Sequence, residues 1–87
     1  MAVYMVERDL PGISMEQLAA AQQAAIDTSN RFTNEGTPVR YIRTTFVPEE
    51  SRSICLFEGP DGASVEDVNK AANIPFTRVI EALDLTP

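Results

Sequence analysis

The 87-residue chain contains no histidine and no tryptophan, and it has a single cysteine, Cys55. Without imidazole, the commonest protein ligand of transition metals is missing from the chain. A lone cysteine excludes an internal disulfide and any zinc site built on cysteine pairs. Nickel, zinc or haem bound in the usual imidazole-rich way is therefore not expected within one chain.

Basic residues and long apolar runs are also scarce. Seven Lys and Arg residues stand against thirteen Asp and Glu residues, for a net charge of -6. A surface of that sign repels phosphate backbones and anionic lipids, so we expect neither nucleic acid nor membrane as a partner. No apolar run is long enough to span a bilayer, and no charged-then-apolar leader follows Met1. We expect a cytoplasmic protein whose mature chain begins at Met1.

The size of the chain predicts a single domain covering residues 1–87. With 44% apolar residues the chain can form one small hydrophobic core. A core of this size is marginal for stability, because a short chain buries a small fraction of its surface. Help from a partner chain is therefore expected.

The chain alternates β-patterned runs with amphipathic segments in the order βαββαβ. Ser14, with Gln17 three residues later, has the spacing of a capping box, and Ser64 with Asp67 repeats it. Gly36 has the position of the residue that ends the first helix. Alternation of β-branched and aromatic residues with polar ones predicts four strands, at residues 2–8, 39–47, 52–58 and 78–85.

This order predicts an α+β, ferredoxin-like βαββαβ sandwich with a four-stranded antiparallel sheet and two helices on one face. Right-handed crossovers leave few other ways to cover one face of the sheet with both helices. The first and third strands are predicted to be central, adjacent and parallel to each other.

Side-chain alternation assigns strand residues to the two faces of the predicted sheet. The face under the helices is predicted to hold Tyr4, Val6, Tyr41, Thr45, Cys55, Phe57, Ile80 and Ala82. The open face is predicted to hold Val3, Met5, Glu7, Arg40, Ile42, Thr44, Phe46, Ile54, Leu56, Glu58, Val79, Glu81 and Leu83. The open set is too apolar for a solvated sheet, so we expect a homodimer formed through this face.

Four short segments resemble a small bacterial family of domains of unknown function that includes a nickel-binding protein. They read YMVER at 4–8, CLFEGP at 55–60, ANIP at 72–75 and RVIE at 78–81. The resemblance implies a ferredoxin-like dimer and, for at least one member, nickel bound at the dimer surface. This chain departs from the family pattern at Thr44, on the second strand, where many members have histidine.

Charged residues on the open face suggest a ligand-binding row. If the first and third strands are parallel, Glu7 and Glu58 lie roughly 5 Å apart, and the pKa of one should rise unless a cation intervenes. Arg40 would then lie beside Glu58, and Glu81 would point towards Glu7. Thr44 would line the same pocket. We predict a small-molecule or divalent-cation site here, with its cofactor unidentified, although a purely structural ion-pair network has the same pattern.

Three functions stay open at this point. The chain is predicted to be a small homodimeric ligand- or metal-binding protein, with nickel disfavoured by the lack of histidine. The alternative is a cofactor-free enzyme of the dimeric α+β barrel type, with Glu7 as acid or base towards a small apolar substrate. A regulatory subunit that binds another protein through its open face is the third. Cys55 faces inward with no histidine to activate it, so it is predicted to be a core residue.

Overall fold

The computed structural model describes all residues from Met1 to Pro87. The elements follow the predicted order, with a short 3-10 turn at Pro48–Glu50 between the second and third strands. They are β1 (Ala2–Asp9), α1 (Met15–Asn34), β2 (Arg40–Val47), β3 (Arg52–Gly59), α2 (Gly62–Ala71) and β4 (Arg78–Ala82). The sheet has the order β2-β3-β1-β4, and every neighbouring pair is antiparallel. This arrangement confirms the ferredoxin-like α+β fold.

The relative direction of the two central strands differs from the prediction. β1 and β3 are neighbours, but they are antiparallel, so the predicted parallel pair was wrong. The crossover through α1 returns β2 in the direction of β1, and the turn at Pro48–Glu50 then reverses the chain into β3. The end of β1 therefore lies beside the start of β3, which changes every cross-strand neighbour.

The helix ends show where local signals succeed and fail. The capping box is confirmed: the Gln17 amide donates to Ser14 Oγ at 3.1 Å, and the Ser14 amide donates to Gln17 Oε1 at 2.9 Å. Gly36 follows α1 in a left-handed conformation, with φ of 103°. The cap predicted at Ser64 was wrong, because Asp61 caps α2 by accepting from the Ser64 amide at 2.8 Å.

The hydrophobic core lies between the two helices and one face of the sheet. Val6, Phe57, Val65 and Val68 are completely buried there. The ring of Phe57 meets the ring of Tyr41 edge-on, with 5.5 Å between the ring centres. Neither α1 nor α2 is long and apolar enough to cross a membrane.

A bulge in β2 reverses the faces of the residues that follow it. The pairing with β3 shifts register between Tyr41 and Arg43, so one extra residue interrupts the alternation. Thr44 pairs with Cys55 and therefore lies on the helix-covered face, as does Phe46. The predicted positions of Thr44 and Phe46 on the open face were wrong, and Thr45 was misplaced in the opposite sense.

The faces of β4 are also opposite to the prediction. Val79 pairs with Val6, so it lies on the helix-covered face and packs against the core. Glu81 lies on that same side, whereas Ile80 and Ala82 lie on the open face. Val79 and Ile80 are both β-branched and apolar, so alternation within this short strand did not identify its buried side.

The chain after β4 lies across the open face of the sheet. Asp84 forms an ion pair with Arg43, which lies on β2, at the opposite edge of the sheet from β4. Arg43 pairs with Leu56 and so belongs to the open face. Leu83 and Leu85, on either side of Asp84, are 81% and 85% exposed. The C-terminal segment therefore presents apolar side chains to solvent above this face.

Candidate functional site

The predicted acidic row does not form. Glu7 pairs with Ile54, and Glu58 pairs with Val3, at the other end of the two strands. Glu7 is four positions along β1 from Val3, so the two glutamates lie roughly 13 Å apart along the strand direction. Carboxylates at that distance share neither a proton nor a metal ion, and the hypothesis of a joint site was wrong.

Glu7 lies between two guanidinium groups. Its Oε1 accepts from Arg78 Nη2 at 2.8 Å and from Arg52 Nη2 at 3.2 Å. The hydrogen bond from Arg78, helped by the charges of both arginines, lowers the pKa of Glu7 below its ordinary value of 4.5. The predicted rise is reversed because cations intervene. A carboxylate with a lowered pKa is a weaker base, which disfavours Glu7 as the acid or base of an enzyme.

The other predicted site residues lie in three separate places. Arg40 and Glu58 form the predicted pair, with 3.4 Å between Nε and Oε1. Glu81 is exposed on the edge strand β4, opposite Tyr4, and does not approach Glu7. Thr44 lies under α1. The structure therefore brings together only one pair of the five.

A cavity of about 230 Å³ lies between α1 and the helix-covered face of the sheet, and we call it the α1 cavity. Apolar side chains from the helix, the sheet and the two flanking loops form most of its wall. These are Leu10, Met15, Leu18, Ala21, Ala25, Phe46 and Ile74. Concave, mainly apolar space with a few polar groups is the usual composition of a small-molecule site.

A chain of polar side chains forms the sheet side of the α1 cavity. Gln22 Nε2 donates to the Tyr41 hydroxyl at 2.9 Å, and that hydroxyl is hydrogen-bonded to Thr44 Oγ1. Thr44 Oγ1 lies 3.1 Å from Cys55 Sγ, and Ser53 Oγ lies 3.6 Å from the same sulfur. The bulge in β2 places Thr44 here, and sequence alternation alone gave no sign of it.

Arg8 is the other polar group in the cavity wall, and the sequence prediction missed it. Arg8 is only 3% exposed. Nη1 donates to the Pro75 carbonyl at 3.3 Å, and Nη2 donates to Asn69 Oδ1. No carboxylate lies within ion-pair distance, since every ion pair of the chain involves other arginines. Its alternation with Tyr4 and Val6 was the signal that Arg8 faces the helices.

The residues present do not fit a transition-metal site within one chain. No three side chains of the Cys, Asp or Glu type come together anywhere in the structure. The thiol of Cys55 has only hydroxyl groups as polar neighbours, and the carboxylate of Glu7 is held by two cations. Each candidate ligand thus stands apart from the others.

The structure is that of a small ferredoxin-like α+β domain with a partly open cavity between α1 and the sheet. A family model described as "Nickel responsive protein SCO4226-like" matches residues 4–82, and the chain belongs to this family. The chain is also similar in structure to SCO4226 from Streptomyces coelicolor A3(2), known from its crystal structure. That likeness has 24% sequence identity and a TM-score of 0.81, and it covers 98% of this chain and 100% of the other. No curated protein matches the chain.

Proposed function

We propose that this chain is a small-molecule-binding protein whose ligand occupies the α1 cavity. The observation that carries the proposal is a partly open cavity of about 230 Å³ with an apolar wall and a few convergent polar groups. A cavity of about 150 Å³ holds benzene, and drug-sized ligands occupy about 300 Å³ or more. The volume therefore suits a ligand of one aromatic ring with a short substituent, or a short aliphatic chain.

Access to the cavity is provided at the start of α1. Met15 lines the cavity, yet it is 71% exposed. A methionine side chain is unbranched and adapts readily to its surroundings, so it can move aside at low cost. The ligand enters at this end of the helix, next to the turn that joins β1 to α1.

Filling the cavity tests the proposal. Wild-type protein is screened by thermal shift against small aromatic and aliphatic compounds, because a ligand of the native state raises Tm by mass action. Ala21→Leu places a larger side chain in the cavity and should abolish the rise in Tm, because less space remains for the ligand. Ala20→Leu is the matched control, since Ala20 is exposed on the same helix and does not line the cavity. A full shift in Ala21→Leu would place the ligand elsewhere.

We propose in addition that the chain forms a homodimer through the open face of the sheet. Val3, Met5, Ile54 and Leu56 are only half-buried on that face. The C-terminal segment adds the exposed side chains of Leu83 and Leu85 to it. The small core of one chain gives limited stability, and a second copy adds to it because a symmetric dimer buries the same apolar patch on both subunits.

Sedimentation of wild-type protein at micromolar concentration is expected to give twice the chain mass. Replacing both Leu83 and Leu85 by Glu should convert it to the monomer, because a charge buried at an interface without a partner opposes association. Ala20→Glu, which adds a charge on the exposed side of α1, is the control and should stay dimeric. A wild-type monomer would contradict the proposal.

A further inference from the structure

We infer that the ligand of the α1 cavity is a small apolar monocarboxylate, and that the guanidinium of Arg8 binds its carboxylate. The inference rests on the proposed function, because it assigns a chemical class to the occupant of the same cavity. Arg8 lines the cavity at the end nearest the loop that holds Pro75.

The charge of Arg8 is buried without compensation. The residue is 3% exposed, and both of its hydrogen-bond acceptors, the Asn69 amide oxygen and the Pro75 carbonyl oxygen, are neutral. Arginine keeps its proton in proteins, so it cannot escape burial by becoming neutral. A buried charge without a counter-ion is strongly unfavourable. An anion in the adjoining cavity supplies the missing opposite charge.

Hydrogen bonds to Asn69 and Pro75 fix the guanidinium of Arg8 and leave some of its N–H donors unused. Asn69 is completely buried, and its Nδ2 donates to the Val65 carbonyl at 2.8 Å, which aims its oxygen at Arg8. A guanidinium has five N–H donors, and Arg8 uses two of them in the bonds described. Its planar fork suits the two oxygens of a carboxylate. Ser53 pairs with Arg8 across the strands and lines the cavity, so its hydroxyl is a further donor at this end.

The rest of the cavity determines the other properties of the ligand. Beyond Arg8 and the hydroxyl groups, the wall is formed by apolar side chains such as Leu18, Ala21 and Phe46. The ligand therefore has a polar head and an apolar body. A single cation favours a single negative charge, because a dianion such as a phosphate monoester would keep one buried charge without a partner.

Matched pairs of ligands test the inference on wild-type protein. Phenylacetate is compared with phenylacetamide, and hexanoate with hexanamide, by titration calorimetry at constant ionic strength. Each pair has nearly the same shape, so a difference in affinity reports the charge. The carboxylate of at least one pair should bind about ten- to hundredfold more tightly than its amide, the range of a charge-assisted hydrogen bond.

Arg8→Gln removes the charge and keeps hydrogen-bond donors. This variant should bind the amide as wild type does and should lose the preference for the carboxylate. Arg40→Gln is the matched control, because it removes the same charge from an exposed ion pair outside the cavity. If Arg8→Gln does not fold, the test uses wild-type protein instead and follows the NMR signal of the Arg8 Nε–H group. That signal should move further when the carboxylate saturates the cavity than when the amide does, because the charged acceptor forms the stronger hydrogen bond.

The outcomes separate the two proposals. Amides that bind as tightly as their carboxylates, or an Arg8→Gln variant that keeps the preference, would overturn the role of Arg8 and leave cavity binding standing. A wild-type protein that binds neither member of either pair would overturn the monocarboxylate assignment. If the wider compound screen also gave no binder sensitive to Ala21→Leu, the proposed function would fail with it.

Discussion

At the scale of single residues, two adjacent charged residues of β1 have opposite environments. Glu7 is held by two arginines on the open face, whereas Arg8, the next residue, is buried without a carboxylate. Neighbouring residues of a strand point to opposite faces, so two adjacent charges have entirely different surroundings. The first forms ion pairs with Arg52 and Arg78, and the second is the group that we propose binds the carboxylate of a ligand.

The arginines around Glu7 make its contribution to stability dependent on pH. Because its pKa is lowered in the folded state, the contribution is fully present above the ordinary value of 4.5 and is lost as the pH falls through the lowered value. Glu7→Gln should therefore reduce the free energy of unfolding at neutral pH and weaken its decline in acid. Urea unfolding between about pH 7 and pH 2 measures both.

The matched control for this variant is Glu49→Gln, because Glu49 is exposed and takes part in no ion pair. It should leave the free energy of unfolding at neutral pH close to the wild-type value, because no ion pair is lost. If Glu7→Gln had an unchanged or higher free energy of unfolding at neutral pH, the ion pairs of Glu7 with Arg52 and Arg78 would not be stabilising.

Cys55 is the second residue with a measurable signature. It is 4% exposed, belongs to the core cluster and also lines the α1 cavity. A thiol reagent should label it slowly in native protein and quickly in denaturant, and a ligand in the cavity should slow native labelling further. Cys55→Ala should cost about 1 to 2 kcal/mol of stability through lost packing. Rapid stoichiometric labelling of native protein would contradict this burial.

At the scale of elements, the start of α2 separates two candidate caps. Asp61 accepts from the Ser64 amide, and this hydrogen bond lowers the pKa of the Asp61 carboxyl. Asp61→Ala should lower Tm by about 4 to 8 °C, as expected when a small domain loses an N-cap. Ser64→Ala should lower Tm much less, because Ser64 lies within the first turn. An equal decrease in Tm in both variants would contradict the assignment of Asp61 as the N-cap.

At the scale of the whole molecule, the family description and the chemistry of the chain point in different directions. The family is described as nickel-responsive, yet the chain has no histidine and gathers no three acidic or thiol ligands. Addition of nickel should therefore leave Tm and sedimentation mass unchanged, and a chelator should have no effect, because only an ion that binds the native state shifts its stability. A stoichiometric rise in Tm with nickel would contradict this prediction. A simultaneous change in mass would locate the ion between copies.

Local physics accounts for the parts of the fold that were predicted correctly. The capping box of Ser14 and Gln17, the glycine after α1 and the alternating strands are set by neighbours a few residues apart. With right-handed crossovers, the order of elements then leaves essentially one sandwich. The ferredoxin-like fold, the pair of Arg40 with Glu58 and the inward position of Cys55 all followed from the sequence.

The candidate site depended on pairing between distant strands, which only the tertiary structure decided. The antiparallel pairing of β1 with β3 separated Glu7 from Glu58, and the bulge in β2 turned Thr44 into the α1 cavity. The burial of Arg8 needed Asn69 of α2 and the Pro75 carbonyl, both more than sixty residues away. Alternation within one strand names two faces but does not say which is covered, because one residue of register shift exchanges them. The sequence by itself determined which elements form and in what order, whereas packing determined which charges meet and which stay alone.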